Sequence, residues 1–301
     1  MSWIKAFTAV LMSISCPCFL GDALAAGAKD SPGKEGLANP FFAMDTATKD
    51  AKHQSAESQA AMVKELGYAG IGCDIAAMPD MLKAVEGSGL KLFAVYVGVS
   101  IDPSKPKYDG RLKDMIKLLK GRNTFVWLFI TGGKPSSTDG DPRAVEIVRE
   151  IADMAAESGL GVALYPHTGF WLERVEDAVR LTKKVNRRNV GVTFNLCHWL
   201  KVDSEKNMKP LMKLAMPSLF LVTINGADSG DTRKMGWDRL IQTLDRGDFD
   251  IYNFLETLTS LGYSGPIGLQ HYGIKGDAHD NLQRSMNAWR NLSAKIAAED
   301  K

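Results

Sequence analysis

Cysteine is scarce in this chain, with four in 301 residues. Cys16 and Cys18 fall within the first 25 residues, which leaves only Cys73 and Cys197 in the remainder. Two cysteines cannot build a disulfide framework, and both sit in apolar runs, so they read as buried free thiols. Charge of one sign is also lacking. Lys and Arg number 37 against 35 Asp and Glu, a formal net charge of +2. That balance excludes a protein whose main task is to grip nucleic acid by its phosphates. No internal apolar run approaches the roughly 20 residues of a membrane span. There is no Gly-rich phosphate cradle, no Ser-centred nucleophile elbow, no His-Glu-x-x-His and no Cys-x-x-Cys pair. Those absences count against kinase, hydrolase and metallopeptidase chemistry. What remains is 45% hydrophobic and 24% charged, a globular composition.

The N-terminus reads as a targeting segment and not as part of the fold. Lys5 supplies a positive start, residues 6–20 are mostly apolar, and Ala23-Leu24-Ala25 offers a small-x-small cleavage pattern. Residues 1–25 are therefore expected to be a signal peptide, and the protein to be exported, periplasmic or secreted. The run is short for a span and ends at Asp22, and Ser13-Ile14-Ser15 is a poor lipobox for Cys16. Residues 26–39 are rich in Gly, Lys and Pro and read as a flexible lead-in.

From Pro40 the pattern alternates. Short apolar runs at 41–46, 68–74, 90–101, 125–131, 162–167, 190–196, 219–225 and 266–272 are rich in Val, Ile, Phe, Tyr and Gly. They suit parallel strands buried on both faces. Helical spacing lies between them, as in Gln59, Met62, Val63 and Leu66, or Val145, Val148, Ile151 and Ala155. Gly67, Gly89, Gly121 and Gly159 mark helix ends. Eight strand–helix units predict a single (β/α)8 TIM barrel over residues 40–298. An open doubly wound sheet is the alternative, but that fold would place a Gly-rich phosphate loop after its first strand, where Asp45-Thr46-Ala47-Thr48 stands. The widest gap, residues 228–262, is expected to hold a binding loop and a helix.

Barrel active sites lie at the C-terminal ends of the strands. Period-two alternation puts Tyr165 with His167, Thr193 with Asn195, Thr223 with Asn225, and Gln270 with Tyr272 on shared strand faces. Four strands thus end in polar residues directed toward one rim. His167 is the candidate acid or base, since imidazole titrates near neutrality. His198, three residues past Asn195, is a candidate for the same work or for substrate contact. His271 has the opposite parity and faces the helices. Asp74, in phase with Gly70 and Gly72, is the candidate inward carboxylate, and Asp45 ends the first strand with unclear parity. Gly70, Gly72 and Gly191 read as small residues that let the barrel close. Trp171 and Trp199 follow strands five and six, where aromatic rings suit the apolar face of a sugar. Core packing is the competing reading for both.

The segments MVKELGYAGIGCD (62–74), GVALYPH (161–167), VGVTFNLCH (190–198), GDFD (247–250) and LGYSGPIGLQ (261–270) carry a resemblance. Over residues 40–296 the chain resembles the xylose isomerase-like TIM barrels, the sugar phosphate isomerase/epimerase group that includes endonuclease IV. The resemblance implies one divalent cation (Mn²⁺, Mg²⁺ or Zn²⁺) held by a Glu, an Asp, a His and a Glu from strands five to eight. It also implies proton movement across an enediolate. Those four positions fall here at Tyr165, Asn195, Thr223 and Gln270, so all four usual ligands are replaced and no metal ligand is assigned. Neutral amides are weak ligands and cannot act as bases, yet they bind sugar hydroxyls as donor and acceptor. The expectation is an exported isomerase or epimerase for a small sugar or sugar-derived carbonyl compound. His167, His198 or Asp74 would move the proton, without the usual metal or with a relocated one, and Tyr165, Asn195, Asn225, Gln270, Tyr272, Trp171 and Trp199 would bind substrate. A non-catalytic carbohydrate-binding barrel is the alternative. A phosphodiesterase resembling endonuclease IV would need a cluster of His, Asp and Glu for several zinc ions, and the chain has five His in all.

Overall fold

A computed structural model describes residues 36–299. The expected signal peptide and residues 26–35 of the lead-in lie outside the described residues. The described end of the lead-in is tied down. The Leu37 N–H donates to Ser293 Oγ at 2.5 Å, and buried Asn39 donates from Nδ2 to the Gly265 carbonyl at 2.8 Å. The anchored chain thus begins near residue 37, a little before the expected boundary.

Eight strands follow: β1 (Phe41–Met44), β2 (Gly70–Asp74), β3 (Lys91–Ser100), β4 (Phe125–Thr131), β5 (Val162–Leu164), β6 (Val190–Asn195), β7 (Leu219–Ile224) and β8 (Ile267–Leu269). Each pairs in parallel with the next, and β8 returns to β1 to close the barrel. All eight expected runs become strands. Most are trimmed at one or both ends, and β5 and β8 are the most cut back, since each stops after three residues. Tyr165 and Gln270 nevertheless extend the ladder by single bonds, Tyr165 N–H to the Leu128 carbonyl at 2.7 Å and Gln270 N–H to the Ile224 carbonyl at 2.9 Å. Their side chains therefore keep the direction that strand parity assigned.

Helices α1 (Asp45–Thr48), α2 (Ala56–Glu65), α3 (Met78–Val85), α4 (Leu112–Leu118), α5 (Asp141–Glu157), α6 (Val175–Val185), α7 (Leu196–Val202), α8 (Met208–Ala215), α9 (Trp237–Leu240) and α10 (Ile251–Ser260) lie between the strands, and α11 (Ala278–Glu299) follows β8. Their apolar faces cover the outside of the barrel, as Met62 and Val63 of α2 and Ile147, Val148 and Ile151 of α5 do. A second, inner core fills the barrel axis with Phe42, Phe93, Trp127, Tyr165 and Leu221. The glycines of the strands make this possible. A Cβ on Gly191 would lie 2.3 Å from the Phe220 ring, and one on Gly268 would lie 2.5 Å from the Phe42 ring. Small residues on one strand thus receive large rings from another, as a tapering interior requires. Trp127 stacks on Tyr165 with centroids 4.2 Å apart and gives its Nε1–H to Thr193 Oγ1 at 2.8 Å. The ring beneath Tyr165 is therefore fixed by both shape and hydrogen bonding.

One ionic contact holds α5 against α6. Asp141 and Asp177 are buried, and the Arg180 guanidinium bridges them at 3.2 and 2.5 Å. Lys184 adds a second bond to Asp141 at 2.5 Å.

Candidate functional site

A cavity of about 460 Å³ opens at the C-terminal ends of the strands. Its size suits a small molecule. Met44, Tyr96, Phe129, Phe170, Trp237 and Ile241 supply apolar and aromatic walls. Tyr165, His167, Thr168, His198 and Gln270 supply the polar groups, with Thr46 and the exposed Tyr272 completing the lining. No Asp, Glu, Lys or Arg is among these residues.

The two histidines face each other with ring centroids 3.9 Å apart. His167 lies in the loop after β5. Its N–H donates to the Leu172 carbonyl at 2.9 Å, and its ring stacks on Phe170 at 4.0 Å. His198 lies in the first turn of α7, where Asn195 caps the helix by accepting the His198 N–H on Oδ1 at 3.1 Å. The backbone of Thr168 bonds to both rings and settles both tautomers. Its carbonyl can only accept, so His167 Nδ1 is the protonated nitrogen, at 3.1 Å. Its N–H can only donate, so His198 Nδ1 is the bare nitrogen, at 3.4 Å. It follows that Nε2 of His167 is a free acceptor and Nε2 of His198 carries a proton. Among the described residues no hydrogen bond reaches either Nε2. Burial lowers the pKa of both rings, and for His198 the neighbouring His167 lowers it further. Both are neutral at neutral pH.

Below them, three neutral side chains from β5, β6 and β8 meet at one oxygen. The phenolic oxygen of Tyr165 accepts from Asn195 Nδ2 and from Gln270 Nε2, each at 3.3 Å. Both amides are held in that orientation. Asn195 Oδ1 accepts the His198 N–H and the Cys197 thiol, both at 3.1 Å. Gln270 Oε1 accepts the His271 N–H at 3.1 Å and the Thr46 hydroxyl at 3.5 Å. Flipping either amide would set N–H against N–H. Burial pushes the Tyr165 pKa well above the usual phenol value, so it stays protonated. Thr223, beside Asn195 in the β6–β7 register, is buried with no partner for its hydroxyl among the described residues.

Strand parity brought Tyr165, His167, Gln270 and Tyr272 to the cavity, and the VGVTFNLCH segment brought His198. Asn195 lies beneath the lining and acts through Tyr165 and His198. Four expectations are corrected. Asp74 does not reach the cavity: its Oδ1 accepts the N–H groups of Ala76 and Ala77 at 2.6 and 2.8 Å, so it caps the turn into α3. Asn225 does not line the cavity: it is buried, and its Nδ2 donates to the Gly226 and Leu240 carbonyls at 2.8 and 2.7 Å. Trp171 is buried among Ile101, Gly133 and Gly140, and Trp199 packs with Phe194, Phe249 and Phe254. Both tryptophans are core residues.

The sequence reading missed Tyr96, Phe129, Phe170 and Trp237. Tyr96 was legible as a polar side chain midway along the apolar run of β3, between Lys91 and Ser100 at its ends. It donates its hydroxyl to Asp45 Oδ1 at 2.8 Å, while the Asp74 N–H holds Asp45 Oδ2 at 3.1 Å. Burial pushes the Asp45 pKa up to about 6, against the pull of these bonds. Trp237 comes from the long β7–β8 connection that was expected to hold a binding loop.

Solved structures similar to this chain share its fold. L-ribulose 3-epimerase is 14% identical with a TM-score of 0.69, covering 87% of this chain and 96% of that one. The 3-keto-D-glucoside 4-epimerase of E. coli is 16% identical with a TM-score of 0.63, covering 86% and 99%. A barrel protein from Mycobacterium smegmatis in complex with magnesium is 15% identical with a TM-score of 0.64, covering 86% and 99%. No curated protein matches the chain. Residues 60–292 match the profile of the xylose isomerase-like TIM barrels, well over half of the chain, and the protein belongs to that family.

Proposed function

We propose that this chain is an exported isomerase- or epimerase-type enzyme for a neutral sugar or sugar-derived carbonyl compound. The observation that carries this reading is the pair of cavity-lining histidines, whose bonds to Thr168 leave a bare Nε2 on one and an Nε2–H on the other. His167 takes a proton from the carbon next to a carbonyl and delivers it to the former carbonyl carbon, and His198 donates a hydrogen bond to a substrate oxygen. The charge-free lining supports a neutral substrate, since a phosphate or carboxylate would enter without a cationic partner. Relatives that act on L-ribulose and on a 3-keto-glucoside agree with that chemistry.

The cation of the family does not fit the residues present. Tyr165, Asn195, Thr223 and Gln270 carry no formal charge, and both amides point N–H groups inward. Among the described residues no three His, Cys, Asp or Glu side chains gather as a metal site. No step is therefore assigned to a metal ion.

The test is hydrogen exchange. Neutral ketohexoses and 3-keto-glucosides are incubated with the protein in D₂O, and loss of the proton next to the carbonyl is followed by NMR. Exchange should be seen, and His167→Ala should slow it by about 100-fold or more. Unchanged exchange in His167→Ala would remove His167 from the mechanism. A second reading, a sugar-binding barrel without turnover, draws on the mutual satisfaction of Tyr165, Asn195 and Gln270. It would show calorimetric sugar binding with no exchange.

A further inference from the structure

Resting on that reading, we propose that the Tyr165 hydroxyl stands in the place of the family's cation and does its electrophilic work, donating a hydrogen bond to the carbonyl oxygen of the substrate. The argument begins with lone pairs. A phenolic oxygen accepts two hydrogen bonds and donates one. Asn195 Nδ2 and Gln270 Nε2 fill both acceptor directions. Neither amide can turn to present its oxygen, because His198 N–H holds one and His271 N–H holds the other. The hydroxyl proton is therefore left to give, beside the second N–H of each amide, and Tyr165 lines the cavity.

Its position suits the role. Trp127 stacks beneath the ring, and His167 and His198 stand edge-on at centroid distances of 5.6 and 5.7 Å. The base, the Nε2–H donor and the hydroxyl thus border one space. When His167 Nε2 removes the proton, the C–H pair becomes the new C=C bond. The carbonyl π pair moves onto oxygen, and the Tyr165 O–H bond strengthens as negative charge grows there. The two amide N–H groups support the charge drawn toward the phenolic oxygen. A proton then passes from the neighbouring hydroxyl to that oxyanion, the second oxygen's pair forms the new C=O bond, and the C=C pair takes the proton back from the His167 imidazolium at the former carbonyl carbon, so the carbonyl has moved and no electron pair or proton is gained or lost. A divalent cation in this place would instead meet two inward N–H dipoles and a protonated phenol.

Two measurements decide the matter. Calorimetry of chelator-stripped protein with MnCl₂, MgCl₂ and ZnCl₂ should show no stoichiometric binding, whereas the combined variant Tyr165→Glu, Asn195→Asp, Thr223→His, Gln270→Glu should gain it. Stoichiometric binding to the wild type that is lost in Asn195→Ala and Gln270→Ala would overturn the replacement. Exchange in D₂O with the ketohexose panel is then compared across variants. Tyr165→Phe should lose about 100-fold in kcat with KM little changed, since only the transition state carries the oxyanion. Gln270→Glu keeps the phenol and the side-chain size but captures the phenolic proton, so it should lose activity to a similar degree. Circular dichroism establishes that both variants are folded. Retention of exchange within threefold in both would overturn the electrophilic role and leave the isomerase reading standing. No exchange by the wild type on any of these sugars would sink the isomerase reading and the electrophilic role with it, while the metal titration would still decide the replacement.

Discussion

Thr168 fixes the protonation of two histidines with its N–H and its carbonyl, and this arrangement has a pH signature. If His167 is the base, activity needs it neutral. Burial holds its pKa below the ordinary 6.5, so it stays neutral to lower pH than a free imidazole. The acid limb of kcat/KM should therefore have its midpoint below pH 6.5, with a plateau from there to pH 8. A midpoint at or above 6.5 would mean that another group controls the rate. Period two identified Tyr165, His167 and Gln270 because a strand end fixes side-chain direction. It misplaced Asp74 and Asn225 for a different reason. Parity gives a direction, but neighbouring backbone N–H and carbonyl groups can claim a polar side chain first, and loop backbone is not legible from residue spacing. Trp171 and Trp199 failed because an aromatic residue after a strand has the same sequence signal whether it faces a ligand or a helix.

Among the elements, the strands were legible because parallel barrel strands are apolar on both faces and separated by helical spacing. Their ends were not, since β5 and β8 stop where pairing runs out and not where hydrophobicity does. The β2–β3 contact makes a sharp prediction. A Cβ on Gly70 would lie 1.9 Å from the Lys91 carbonyl oxygen, a backbone atom with no rotamer to yield. Gly70→Ala should destabilise by about 3 kcal/mol or more, or yield insoluble protein. A change under 1 kcal/mol in urea unfolding would show that the strands can part easily. The α5–α6 contact makes another. Arg180→Ala removes the guanidinium from two buried carboxylates, leaving Asp141 to Lys184 and Asp177 to the Ser136 hydroxyl and the Arg174 N–H, and should cost about 2 kcal/mol at pH 7.5. Urea midpoints compare the two proteins, and an unshifted midpoint would mean that Lys184 alone suffices for Asp141.

Over the whole molecule, barrel and family could be read from the sequence, since eight repeats of one rhythm leave few alternatives. The export signal is a separate expectation. Lys5, the apolar run and Ala23-Leu24-Ala25 predict a mature N-terminus at Ala26 or Gly27. Mass spectrometry of the protein from the periplasmic or culture fraction checks this, and an intact Met1 in the cytoplasm would refute it.

The closed ladder has one more consequence. Because β8 bonds to β1 as it does to β7, the first strand of the barrel is first only in covalent order. Leu37 is already bonded to Ser293 of the last helix, and Phe41 stacks on Trp289 at 4.4 Å. The two ends of the anchored chain are therefore neighbours. Gly87 and Gly89 lie in the turn from α3 to β3, on the face opposite the cavity, with open space around both. A short linker from residue 299 to 37, with new termini cut between Gly87 and Gly89, should give a circular permutant that keeps the barrel and its cavity intact. A permutant that unfolds would reveal that the order of synthesis, and not the closed ladder alone, directs assembly.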